Sequence, residues 1–130
     1  MNEADILGLA IDRAGAINAY WNLHLAVSTA VLGIMASGKH FTSSKALKVI
    51  MTCAFVLFAY SNLDAILRLG ELRNALLELL PSELTNREAF VASLAPASRW
   101  QYTAFHAVLD IAVVAAIWFV PWQLRRAPSS

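Results

Sequence analysis

The strongest constraint in this sequence is an apolar run near its C-terminal end, from Gln101 to Val120. Its twenty residues contain only two side chains that can carry a charge near neutral pH, His106 and Asp110. Twenty helical residues at about 1.5 Å of rise extend for about 30 Å, the thickness of the hydrocarbon core of a bilayer. Tryptophan and tyrosine rings lie at both ends of the run, as expected for side chains at the headgroup level. The run therefore predicts a transmembrane helix over residues 99–120, with an acidic side chain near its midpoint.

Two further segments have the length and composition of membrane spans. Residues 14–36 carry no formal charge when His24 is neutral, and residues 46–69 have an apolar body that becomes polar toward its far end. The chain is 58% hydrophobic and 15% charged, whereas an average soluble domain has about 25% charged residues. We therefore expect an all-α fold, a single polytopic membrane domain over residues 1–130 with three transmembrane helices.

The segment between the second and third spans has a different pattern. Over residues 70–97, leucines at helical spacing alternate with charged side chains, and Pro81 interrupts the pattern. This stripe is typical of an amphipathic helix, and Thr85 with Glu88 matches a capping box at the start of a second short helix. We predict a short amphipathic helical hairpin between spans 2 and 3. Its first helix either continues the second span out of the membrane or lies along the membrane surface after a kink at Gly70.

The placement of basic residues predicts the orientation in the membrane. The loop after the first span contains every lysine and no acid, whereas all acids except Asp110 fall on the opposite side. In this loop Gly38 is a predicted helix stop, and Ser43 or Ser44 is a predicted cap of the next helix. Because loops rich in positive charge stay in the cytoplasm, we expect a multi-pass protein of the inner (cell) membrane with its N-terminus outside and its C-terminus cytoplasmic. The basic residues on the cytoplasmic side are Lys39, Lys45, Lys48, Arg125 and Arg126.

Polar side chains lie within all three predicted spans, in the outer half of the bilayer when the helices are aligned as antiparallel neighbours. An ionised carboxylate at the bilayer centre is unfavourable by about 3 kcal/mol on insertion scales, so it faces protein, a cavity or a partner chain and is a functional candidate. His106 and Asp110 stand one helical turn apart, so the carboxylate can orient the imidazole and hold a proton. The candidate residues are Asn22, His24, Asn62, Asp64, His106 and Asp110.

Several features also have structural interpretations. Asp64 and Arg68 are separated by four residues and can form a self-contained ion pair. Asparagines can join helices by hydrogen bonds without a further role. The first span carries a stripe of small residues, typical of close helix packing in membranes, and three helices offer few inward faces, so we expect an oligomer. The members of this stripe are Ala19, Ala26, Ala30 and Gly33.

Two hypotheses for the function follow. The first is an oligomeric channel or proton/cation pathway lined or gated by the candidate residues. The second is a non-catalytic accessory or anchor subunit of a larger membrane complex, with residues 70–97 as its docking surface. A haem-carrying version of this subunit would use His24 and His106 as axial ligands. We predict no other cofactor and no metal site.

Other classes of protein are disfavoured. The sequence has no nucleophile–base pair, zinc motif or phosphate-binding loop, so we do not expect an enzyme. A formal charge of +1, with no basic patch interleaved with aromatics, gives no reason to expect nucleic acid as a partner. A single cysteine, Cys53, allows no internal disulfide. The expected partners are the lipid bilayer and either further copies of this chain or other membrane subunits.

Overall fold

The structure is a computed structural model that describes residues 2–37 and 44–124, with only the backbone of residues 121–124. Its regular structure within these residues is entirely helical, which confirms the all-α prediction. The four helices are α1 (Glu3–Ala36), α2 (Lys45–Glu78), α3 (Arg87–Leu94) and α4 (Arg99–Leu124). The predicted helix stop and several basic residues used for the orientation lie outside the described residues, so the orientation stays a prediction. They are Gly38, Lys39, Arg125 and Arg126.

Three of the helices are long and apolar enough to cross a membrane, which is consistent with a membrane location. Helices α1 and α2 have 34 residues each. At about 1.5 Å per residue each extends for about 50 Å, about 20 Å more than a hydrocarbon core. The excess in α1 lies at its start, because the acidic segment before residue 14 belongs to the same helix. Asn2 and Asp5 form a capping box there, with two hydrogen bonds of 2.9 Å.

The end of α2 differs from the predicted hairpin. Helix α2 continues through Gly70 to Glu78, so residues 70–78 are its last turns, and α3 is a single short helix between Arg87 and Leu94. A separate hairpin is therefore not formed in this part of the described chain, and of the two alternatives for the segment the continuous helix is the one observed. The packing around Gly70 does not require a glycine, since a Cβ placed there would lie 3.9 Å from the Pro96 side chain, an ordinary contact distance.

The predicted capping box at Thr85 is wrong, whereas a different one forms before α4. Asn86 is the N-cap of α3, has a left-handed backbone with a φ of 62°, and makes no side-chain capping bond. Before α4, the backbone N–H of Gln101 donates to Ser98 Oγ at 3.2 Å, and the N–H of Ser98 donates to Gln101 Oε1 at 2.9 Å. Both boxes have the spacing of the motif, so spacing alone did not select the one that forms. The predicted cap of α2 is confirmed at Ser44.

Two apolar clusters lie at different heights in the bundle. The first, which we call the span core, joins α1, α2 and α4 and consists of Val31, Met35, Phe55, Ala59, Val113 and Ile117. The second, which we call the end core, joins the start of α1 to the end of α2 and the segment after it. It consists of Ile6, Ala10, Leu76, Leu77 and Leu80, with Val91 and Leu94 of α3 packed against it. Part of the apolar surface of residues 70–97 is thus used inside the chain, whereas Leu72, Leu79 and Phe90 are exposed.

The predicted packing stripe of α1 is not used within the chain. Its members, Ala19, Ala26, Ala30 and Gly33, are all exposed, and a Cβ placed at Gly33 would meet no atom within 4 Å. The face that packs inward instead contains Ile17, His24, Ser28, Val31 and Met35. The bundle turns this face inward because it carries both the larger apolar side chains and the polar groups that need partners. Packing of the stripe against a second copy stays a prediction.

The end core offers a matched pair of leucines for testing its contribution to stability. We expect Leu77→Ala to lower the free energy of unfolding by about 2–5 kcal/mol, because Leu77 is 3% exposed and its removal leaves a cavity. Leu79→Ala should change it by less than about 0.5 kcal/mol, because Leu79 is 59% exposed. Unfolding in mild detergent followed by circular dichroism measures both. Equal effects of the two substitutions would show that the end core does not form.

Continuity of α2 gives a second expectation, at Gly70. Glycine within a helix is less favourable than alanine by about 0.5–1 kcal/mol, and an added Cβ finds ordinary contact distances of 3.9 and 4.0 Å. We therefore expect Gly70→Ala to raise the free energy of unfolding by about that amount, measured as above. Gly70→Leu should lower it by about 1–3 kcal/mol, since the larger side chain would overlap Pro96 and Tyr102. A loss of stability in Gly70→Ala would instead indicate a helix that must bend at this residue.

Candidate functional site

Four of the six candidate residues meet between the span core and the end core. They are His24 of α1, Asn62 of α2, and His106 and Asp110 of α4, and we call them the polar cluster. Both histidines are fully buried, Asn62 is 3% exposed, and the Asp110 side chain is 24% exposed. Helical spacing places His106 and Asp110 on one face of α4. Each of the three long helices therefore contributes to the same site.

The Asp110 carboxylate lies between the two imidazoles. Its Oδ2 is 3.0 Å from Nδ1 of His106, and its Oδ1 is 3.2 Å from Nε2 of His24. The second contact is close but poorly aligned for a hydrogen bond. As a result, neither ring nitrogen of His24 has a hydrogen-bond partner among the described residues, and neither does Asp110 Oδ1. The imidazole rings themselves have centroids 4.0 Å apart.

Asn62 determines which nitrogen of His106 carries a hydrogen. Its Nδ2 donates to the backbone carbonyl of Tyr20 at 3.1 Å, and a carbonyl can only accept. The amide oxygen of Asn62 therefore faces His106, with Oδ1 and Nε2 3.1 Å apart. Because this oxygen also only accepts, Nε2 of His106 must be the protonated nitrogen. In a neutral imidazole, Nδ1 is then an acceptor with a free lone pair.

This arrangement requires a positive charge beside Asp110. With His106 neutral, the lone pair of its Nδ1 faces a carboxylate oxygen at 3.0 Å. Two acceptors at that distance repel each other, and the repulsion is strong where the local dielectric is low. A proton or a metal ion between the two atoms converts the repulsion into an attraction. The polar cluster is thus suited to hold a proton or another cation within the bundle.

Aromatic rings enclose the histidines. The Trp21 ring lies 5.2 Å from the His106 ring, and Phe58 stacks on His24 with centroids 6.0 Å apart and planes at 6°. One turn further along α1, the buried Ser28 hydroxyl also lacks a hydrogen-bond partner among the described residues. Trp21, Phe58 and Ser28 were not predicted from the sequence as parts of the site. Ser28 follows His24 by four residues, so helical spacing was the signal that could have identified it.

Asp110 is accessible from the side of the bundle. Its exposed edge opens into a groove of about 790 Å³ on the surface of the bundle. The groove is mainly apolar and is lined by Val56, Ile111, Val114, Ala115, Trp118 and Phe119, together with Lys48. The Lys48 ammonium group donates to the Trp118 carbonyl at 2.9 Å. The exposed edge of the carboxylate therefore lies on the side of the bundle and not on its axis.

The other two candidate residues do not join the cluster. Asn22 lies on the exposed side of α1. Asp64 pairs with Arg68, whose Nε donates to Asp64 Oδ2 at 2.8 Å, and both side chains are exposed. The Asp64–Arg68 pair thus has the geometry expected of a structural ion pair.

The positions of the two histidines do not fit the haem-carrying alternative. Two axial imidazoles bind iron from opposite faces of the porphyrin, so the macrocycle must lie between their rings. The centroids of His24 and His106 are only 4.0 Å apart, which leaves no space for it. Nε2 of His106 is, in addition, already engaged by Asn62.

The tautomer of His106 can be tested by nitrogen NMR of histidine-labelled protein in detergent. We expect Nε2 of His106 to be protonated throughout the pH range in which the protein is folded, because Asn62 supplies a fixed acceptor. In Asn62→Leu this constraint is removed, and the Nδ1-protonated tautomer should appear, since Asp110 then offers the better acceptor. His24→Leu serves to assign the signals. Finding only the Nδ1-protonated tautomer in the unmodified protein would contradict the proposed orientation of Asn62.

Comparisons of the chain with protein-family models, with curated proteins and with solved structures find no match. The polar cluster and the three apolar helices that hold it are therefore the features of the molecule that indicate a function.

Proposed function

We propose that this protein is a small integral membrane protein whose oligomer provides a proton or cation pathway, with the polar cluster as the site that carries the ion. One observation supports this most directly. The Asp110 carboxylate lies 3.0 and 3.2 Å from two buried imidazoles, and its exposed edge faces a groove that opens outside the chain. Ionisable groups in such positions are typical of proton relays and ion pathways.

The contacts suggest a proton-transfer step. A cationic His24 passes its Nε2 proton to Oδ1 of Asp110, which begins the step protonated on Oδ2 and passes that proton to Nδ1 of His106. His24 ends the step neutral, and His106 ends it as an imidazolium. Asp110 thus ends the step with the same charge that it had before it. Imidazole and carboxylate groups suit this exchange because imidazole changes its charge near neutral pH.

The route on either side of this step is proposed to run between copies of the chain. The span core is apolar, and Met35 and Ile117 are fully buried in it, so we propose that the route passes beside this core and not through it. The lateral groove reaches from Asp110 toward Lys48. A second copy that covered the groove would enclose the route and shield a carboxylate that is costly to expose to lipid. The exposed stripe of small residues on α1 supports close approach of further helices.

The alternative function, a non-catalytic accessory subunit, has less support. It requires a docking surface in residues 70–97, where the end core already buries Leu76, Leu77 and Leu80 while Leu72, Leu79 and Phe90 stay exposed. It also assigns no role to a partly buried carboxylate between two imidazoles. The two functions predict different masses for the protein purified in mild detergent: a homo-oligomer for the pathway, and a complex that includes other chains for the accessory subunit.

The pathway is tested by proton flux into liposomes under an imposed pH gradient, with a chelator present and the membrane potential clamped. We expect measurable flux in the unmodified protein and at least a tenfold loss in Asp110→Asn, because the amide cannot exchange a proton at this position. The matched control is Asp64→Asn, which removes an exposed acid outside the cluster and should leave the flux unchanged. Flux equal to that of empty liposomes, or an equal flux in Asp110→Asn, would refute the proposal.

A further inference from the structure

We infer that His24, His106 and Asp110 form a binding site for a divalent transition-metal ion of the Zn²⁺ class, held by two imidazole nitrogens and one carboxylate. The inference rests on the proposed function in one respect, which is that the polar cluster holds a positive charge. It goes further in naming a cation other than the proton. It also assigns to the site a ligand set that the sequence analysis did not predict.

The three side chains already place their donor atoms close together. One ligand atom from each residue can be chosen so that all three lie within 4.8 Å of one another. Two pairs are closer still, at 3.0 Å for His106 Nδ1 with Asp110 Oδ2 and 3.2 Å for His24 Nε2 with Asp110 Oδ1. In a tetrahedral zinc site with bonds of about 2.0–2.1 Å, neighbouring ligand atoms are about 3.3 Å apart. The two pairs to Asp110, each made by a different carboxylate oxygen, are close to this spacing, and the 4.8 Å limit bounds the separation of the two imidazole nitrogens.

Polar atoms of the cluster that lack hydrogen-bond partners also favour a metal ion as the ligand. His24 is fully buried, yet neither of its ring nitrogens has a hydrogen-bond partner in the described part of the chain, and Asp110 Oδ1 beside it also has none. Buried polar groups are rarely left in this state. A metal ion bound by Nε2 of His24 and by the carboxylate would satisfy both atoms at once.

Asn62 prepares His106 as a metal ligand. It accepts the hydrogen of Nε2 at 3.1 Å and is itself anchored to the Tyr20 carbonyl at 3.1 Å. The lone pair of Nδ1 is therefore available on the side that faces Asp110. Metal-binding histidines commonly donate their other N–H group to such an acceptor, which fixes the ring and its tautomer. This observation is independent of the distances among the three ligands.

The chemistry of the donors selects the kind of ion. Two neutral nitrogens and one oxygen favour Zn²⁺ and its first-row neighbours, whereas Mg²⁺ and Ca²⁺ prefer oxygen ligands. Three protein ligands also leave a coordination position free, as in zinc sites that bind water or exchange ligands. The exposed edge of Asp110 opens to the groove, so the free coordination position can be occupied by water or by a group from that side.

Cobalt binding tests the site directly. Protein purified in mild detergent and treated with a chelator is titrated with Co²⁺, whose visible spectrum reports nitrogen and oxygen coordination, and Zn²⁺ is then added as a competitor. We expect one ion per chain and displacement of Co²⁺ by Zn²⁺. His24→Leu and Asp110→Asn should each abolish the visible band, and Asn62→Leu should weaken binding by about 10–100-fold through loss of the support to His106.

The matched control is His40→Gln, which removes the third histidine of the chain and should leave Co²⁺ binding unchanged. Because the His24 side chain makes no hydrogen bond among the described residues, we expect His24→Leu to elute from a sizing column with the unmodified protein, and a matching elution separates loss of binding from loss of fold. No visible band in the unmodified protein, or a band that survives in both His24→Leu and Asp110→Asn, would overturn the inference. Proton flux in chelator without Co²⁺ binding leaves the pathway standing and refutes the metal site. Co²⁺ binding without flux refutes the pathway and supports the metal site.

Discussion

The pair of hydrogen bonds made by the Asn62 amide determines how the polar cluster is arranged. One bond fixes α2 to the backbone of α1 through the Tyr20 carbonyl, and the other orients His106 of α4. The two bonds together link all three long helices at one height. They also leave a lone pair of His106 directed at Asp110, so the need for a positive charge is a consequence of how the helices are joined. Polar contacts between membrane helices usually act as structural links, and here the same link defines the chemistry.

The two apolar cores keep this polar layer in position. The span core packs α1, α2 and α4 below it, and the end core ties the start of α1 to the end of α2 and to α3 on its other side. An offset of α1 against α4 would have to disturb Met35 and Ile117, both of which are fully buried, before it separated the imidazoles. Hydrogen bonds among the described residues do not hold the His24 ring in place. The apolar packing on both sides of the cluster therefore restrains its position.

The sequence predicted the helical class, the three long apolar helices and the spacing of His106 and Asp110, because these depend on composition and periodicity. It could not predict that His24 faces inward while Asn22 does not, since the two lie on different faces and only tertiary packing selects one. The sequence does not decide whether α2 continues through Gly70, because a glycine permits both a kink and a straight helix. The capping box was assigned to Thr85 because local spacing is satisfied there as well as at Ser98. The stripe of small residues on α1 indicates a packing face but does not say whether the neighbouring helix belongs to the same chain.

The unbroken length of α1 and α2 has a mechanical consequence. Each helix runs for 34 residues without a break. His24 and Asn62 therefore lie on continuous helices, and the start of α1 is held against the end of α2 in the end core. A rotation of either helix about its axis at the end core would move His24 or Asn62, about four helical turns away, relative to Asp110 of α4. A change imposed at the end core would thus alter the spacing of the polar cluster.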